Sequence, residues 1–140
     1  MIVKREVLKV KGRKRHIAVD ILGDLSRIKV HAANIHDTKA GCNIFKETSD
    51  KYPSILAFSA DEGYGGASKD YVQDTLKLMI DISKKIKDEF AILPKRRIVE
   101  RTFAWINNLR RSSKDFEILT STAENVVRIA MKMVTLKKCF

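Results

Sequence analysis

Cysteine is scarce in this chain. Cys42 and Cys139 lie far apart and near no His/Cys cluster. A structural zinc site needs about four closely spaced ligands, so none is expected, and nothing supports a disulfide framework. Both thiols read as reduced, which points to an intracellular protein. Long apolar runs are missing too. None approaches the ~20 residues of a membrane span, and no N-terminal stretch has the make-up of a signal peptide. The expected setting is the cytoplasm, with no membrane partner. There is no phosphate-binding P-loop, no dinucleotide glycine pattern, no nucleophile elbow and no zinc motif. His16, His31 and His36 show no metal spacing and read as structural. No repeat, low-complexity tract or long linker divides the chain, so residues 1–140 read as a single domain able to bury a core.

Positive charge is abundant. Lys and Arg number 28 against 17 acids, a net +11. Such an excess favours a polyanionic partner, nucleic acid or an anionic membrane surface. Hydrophobic residues make up 44%, which argues against a disordered chain. Charge alone names no function, because ribosomal proteins and small repressors share it.

The periodicity predicts an α/β protein. Residues 1–16 are basic and loosely interleaved with valines, as an edge strand leading into a Lys11-Gly12-Arg13 turn. Strands over His16–Leu22 and Ser26–Ile35, joined at Gly23-Asp24, form a hairpin. A helix over 38–50, capped by Asp37 or Thr38, turns Ala40, Ile44 and Phe45 inward and stops at Tyr52-Pro53. Ile55–Ala60 is apolar throughout, as in a strand buried on both faces, and it delivers Asp61. Gly63, Gly65 and Gly66 allow a tight loop. Ser68 caps a short helix, and Leu78–Ile82 alternates as a strand. A charged connection over 83–90 and an apolar segment Phe90–Leu93 lead to a helix over 96–111, with Pro94 near its start. Its apolar stripe is Val99, Phe103 and Ile106, widened by Ile98, Trp105 and Leu109. A last helix begins at Ser121 with Glu124 completing a capping box, and Met131 and Met133 read as core.

Two acids carry the chemistry. Asp61 ends a buried strand before a glycine-rich loop, where ligands gather in α/β folds. A turn aspartate bonding its own loop is the plainer alternative. Glu62 is expected to point the other way. Glu100 lies on a helix with Arg96 four residues back and Arg97 and Arg101 beside it. A surface ion pair with Arg96 or Arg97, contributing ~0.2–0.5 kcal/mol, is the plainer alternative there. Mg²⁺ accepts one or two protein carboxylates plus substrate oxygens, so a sparse acid set suits phosphoryl transfer. Arg96, Arg97, Arg101, Arg110 and Arg111, with Lys14, Arg15, Lys95 and Lys114, are the candidate phosphate contacts. Tyr64 and Trp105 offer rings for bases, but Trp105 falls on the apolar stripe and reads as core.

In order along the chain, Lys11-Gly12-Arg13-Lys14-Arg15-His16-Ile17-Ala18-Val19-Asp20, His31-Ala32-Ala33-Asn34-Ile35-His36-Asp37, Ala60-Asp61-Glu62-Gly63-Tyr64-Gly65-Gly66, Pro94 to Trp105 and Arg110 to Glu117 resemble the DDE transposases of bacterial insertion sequences. The resemblance runs nearly end to end. It implies a ribonuclease-H-like mixed sheet with flanking helices. It also implies Mg²⁺- or Mn²⁺-dependent cleavage at transposon ends and transfer of a 3′-hydroxyl into target DNA. Asp61 and Glu100 match the second and third acids and would be the catalytic metal ligands, with Arg96 near DNA. Leu93 and Asn107 depart from the Tyr and Lys of many relatives. Relatives carry their first Asp upstream of the position of Met1, so the first catalytic strand is expected to be lacking, with Asp20 and Asp37 as the early acids that remain. The expectation is a truncated catalytic domain, inactive alone. An N-terminal transposase fragment or a second copy would be its partner, and the bacterial nucleoid its location. The alternative is a non-catalytic, basic DNA-binding remnant or a regulator of a full-length transposase.

Overall fold

The structure, a computed structural model, describes residues 1–8, 12–83, 94–112 and 117–140. The expected connection 84–90, the apolar segment Phe90–Leu93, Lys11 and Lys114 lie outside the described residues. Five strands form one mixed sheet in the order β3-β2-β1-β4-β5. They are β1 (Ile2–Leu8), β2 (Arg13–Val19), β3 (Leu25–Ala32), β4 (Ala57–Asp61) and β5 (Met79–Ser83). The helices are α1 (Asp37–Lys51), α2 (Ala67–Asp74), α3 (Pro94–Asn108) and α4 (Thr120–Cys139).

β1 is the central strand, not the edge strand its basic character suggests. It pairs antiparallel with β2 along its whole length and parallel with β4 at Ile2↔Ser59 and Val3↔Ala60. Its start explains this position. Ile2 and Val3 are both buried and point to opposite faces, which is what a strand covered on both sides requires. The sheet therefore has no gap at its centre.

Each face has its own core. On one side, Ile2, Ile17, Val19, Ile28 and Val30 pack against Val99, Phe103 and Ile106 of α3 and Val127 and Met131 of α4. On the other side, Val3, Ala18, Phe58 and Ala60 pack against Ile44 and Phe45 of α1, Val72 of α2 and Tyr64. The stripe read from the sequence of α3 is the stripe that is buried. Met131 is core, but Met133 is 55% exposed on the outer face of α4.

Capping differs from expectation. His36, not Asp37 or Thr38, precedes α1, and its side chain makes no cap bond. α2 starts after Gly66, whose φ of 66° needs glycine, while Ser68 lies inside the helix and donates to the Thr38 carbonyl. Leu119 precedes α4, again without a side-chain cap, and the Ser121–Glu124 box does not form. Glu124 instead accepts the backbone N–H of Val30 at 2.9 Å. β3 is an edge strand, so this carboxylate covers a donor that would otherwise face outward.

The histidines bear out their structural reading in part. His31 Nδ1 lies 2.7 Å from the Ala32 carbonyl, His31 Nε2 lies 2.6 Å from His16 Nε2, and His16 Nδ1 lies 2.5 Å from the Tyr64 hydroxyl. A carbonyl only accepts, so His31 Nδ1 donates. With neutral rings, His31 Nε2 then accepts from His16, and His16 Nδ1 accepts from Tyr64. Tyr64 is 1% exposed and offers no ring to a base.

Candidate active site

Asp61 ends β4, and its side chain accepts the backbone N–H of Glu62 at 2.8 Å. This is the turn role open to an aspartate before a loop. Strand alternation sets its direction. Phe58 and Ala60 belong to the α1 face, so Ser59 and Asp61 point to the α3 face. On β1, Lys4 follows Val3, the partner of Ala60. On β5, Ser83 is the partner of Asp61. Lys4, Ser59, Asp61, Ser83 and Arg96 line one small pocket there.

Glu100 enters from the exposed side of α3. Its Oε1 accepts from Lys4 Nζ at 2.8 Å and from Arg96 Nε at 2.8 Å. The Arg96 contact is the i,i+4 ion pair that the sequence offered. The Lys4 contact crosses from helix to central strand and was not legible there. The Lys4 bond holds the Glu100 carboxyl below the usual carboxylate range, partial burial opposes this, and Arg96 adds to the lowering. Arg96 is raised above its usual value, first by its bond to Glu100, with the charge of Asp61 contributing. Asp61 and Glu100 thus act on one guanidinium.

The remaining cations fall into two groups. Arg15 is 3% exposed and donates to the Ser112 carbonyl at 3.0 Å, so it braces the segment after α3 and is not placed to touch phosphate. β2 points it into the α3–α4 face, which sequence charge could not foretell. Lys14 bonds Asp37 at 2.9 Å, at the start of α1. By contrast, Arg97, Arg101, Arg110 and Arg111 are exposed. Arg101 also donates to the Leu22 carbonyl at 3.0 Å and lies over the Trp105 ring, with Lys138 over the same ring. Arg111 pairs with Glu117 at 3.1 Å. Trp105 is partly buried against the core. Neither early acid reaches the site. Asp20 binds the N–H groups of Leu22 and Asp24 and shapes the β2–β3 turn, and Asp37 holds Lys14.

The residues present do not fit a divalent cation. Among the described residues, no three His, Cys, Asp or Glu side chains are grouped to hold a metal. Glu100 is paired with two cations, Lys4 and Arg96, through one oxygen, and one oxygen of Asp61 accepts the Glu62 N–H. Nearby, Asp81 is paired in the same way with Lys95 at 3.3 Å.

The fold is shared with a known structure. The catalytic core domain of BIV integrase superposes with a TM-score of 0.61 and 12% identity, over 93% of this chain and 78% of that one. The likeness establishes the fold: a mixed five-stranded sheet with flanking helices of the ribonuclease-H-like kind. No curated protein matches the sequence. The family model for the transposase DDE domain matches residues 4–133, almost the full length. This chain therefore belongs to the transposase DDE domain family.

Proposed function

We propose that this domain serves DNA transposition by binding DNA, and that as it stands it does not cleave or transfer strands. One observation carries the reading. The exposed face of α3 presents Arg97 and Arg101 with the small Ala104 and the amides Asn107 and Asn108, while Val99, Thr102, Phe103 and Ile106 are buried behind them. Arg110 and Arg111 follow directly. A helix with long cations and no bulk between them can lie along a phosphate backbone, and such contacts set position and affinity without reading bases. The ligands are transposon ends or target DNA.

A second reading keeps the chemistry of the family: Mg²⁺- or Mn²⁺-dependent strand cleavage and strand transfer at Asp61 and Glu100. The pocket that Asp61 shares with Arg96, the partner of Glu100, favours it. It requires Lys4 to leave Glu100, a change that binding of a second copy or of an N-terminal transposase fragment would have to drive.

Affinity for duplex DNA measured against salt separates DNA binding from a generic sticky surface. Log K is expected to fall steeply with log salt, by about 0.9 for each phosphate neutralised. The double variant Arg97→Ala/Arg101→Ala is expected to lower that slope by up to ~2. A slope near zero, or one that the two substitutions leave unchanged, contradicts the proposal.

A further inference from the structure

We propose that Lys4 takes the place of a divalent cation at the Asp61–Glu100 pair, a tethered ammonium that keeps metal out of the site. The inference rests on reading those two residues as one acid pair. It does not depend on whether the chain binds DNA.

Lys4 is not an ordinary surface lysine. It stands on the central strand one residue after Val3, the partner of Ala60, and lines the same pocket as Asp61. Its side chain is 16% exposed, and its ammonium lies 2.8 Å from Glu100 Oε1. Helix and central strand therefore meet at this cation, in a pocket that Asp61 of the neighbouring strand also lines. Arg96 meets the same Oε1 from above. A divalent ion would approach a carboxylate oxygen to ~2.1–2.5 Å, within the space these donors fill. Charge argues the same way. Asp61 and Glu100 carry two negative charges, and Lys4 and Arg96 carry two positive ones. The local sum is zero, so little long-range attraction is left for a dication. Reversing the sign at position 4 would change the sum by two and supply a third carboxylate between the other two. One residue on the central strand thus decides whether this face is a metal site or an internally paired one.

The test is Mn²⁺ binding, read from the loss of the free-ion paramagnetic resonance signal, with Asp61→Asn and Glu100→Gln as controls. The wild-type chain is expected to show no saturable site sensitive to either control. Lys4→Asp is expected to gain one saturable site, at least ~10-fold tighter than any wild-type binding, and to lose it again when Glu100→Gln is added. If circular dichroism shows that Lys4→Asp does not fold, Lys4→Gln takes its place. It removes the charge at similar length and is expected to gain weaker binding that still depends on Glu100. Wild-type binding of one Mn²⁺ that either control abolishes overturns the proposal. So does a folded Lys4→Asp, or in its absence a folded Lys4→Gln, that gains nothing. DNA affinity is not read in this titration, so its outcome and that of the salt series stand apart.

Discussion

At the scale of single residues, direction matters more than type. Asp61 was legible because a continuous apolar run had to end at it, and Glu100 because it stood among arginines at helical spacing. Lys4 was not. It looks like one more basic residue in a basic N-terminus, and only the packing of α3 on β1 gives it Glu100 as a partner. Arg15 shows the converse, an apparent phosphate contact that β2 turns into the core. The buried chain Tyr64–His16–His31 makes its own prediction. Tyr64→Phe removes the hydroxyl that His16 Nδ1 accepts from. It is expected to cost about 1–3 kcal/mol, because the ring nitrogen stays buried without that donor. Urea denaturation with an unchanged slope would confirm a loss of this kind, and full wild-type stability would contradict the assigned ordering of donors.

At the scale of elements, apolar periodicity was a dependable guide and polar end signals were not. Val99, Phe103 and Ile106 on α3, and Ala40, Ile44 and Phe45 on α1, are buried as their spacing predicts. Burial repeats along a helix, so several residues vote for it. A cap rests on one side chain, and tertiary contacts outbid it three times here. Ser68 bonds Thr38 across to α1, Asp37 holds Lys14, and Glu124 reaches β3. Tight packing fixes the α1–α2 layer further. A Cβ at Gly41 would fall 2.8 Å from Tyr64 and 3.0 Å from Ser68, so the helix carries glycine where its neighbour's ring lies closest. The role of Glu124 can be measured. Glu124→Ala leaves the Val30 N–H on an open edge and releases Arg128. A loss of about 1–3 kcal/mol is expected, together with increased self-association through the exposed β3 edge. A variant that is equally stable and equally monodisperse would show that the helix end, not the strand edge, is what this carboxylate serves.

At the scale of the whole molecule, the order of elements and the family were readable, whereas the state of the site was not. Ordered motifs along the chain already resembled the transposase DDE domain, and the family match and the integrase-like sheet agree with that. The centre of the sheet is occupied by β1, whose Ile2 and Val3 turn apolar side chains to its two faces between β2 and β4. The same strand brings a positive charge to the acid pair. Family membership places the domain in DNA transposition, and of its two candidate acids Glu100 is paired with Lys4 and Arg96.

The most direct measurement is a nicking and strand-transfer assay on labelled transposon-end DNA in Mg²⁺ or Mn²⁺, comparing the wild-type chain with Asp61→Asn and with Glu100→Gln. The account predicts no product from the wild-type chain at DNA concentrations where it is fully bound. Metal-dependent product from the wild-type chain that Asp61→Asn or Glu100→Gln abolishes would contradict it and restore Asp61 and Glu100 as a working catalytic pair.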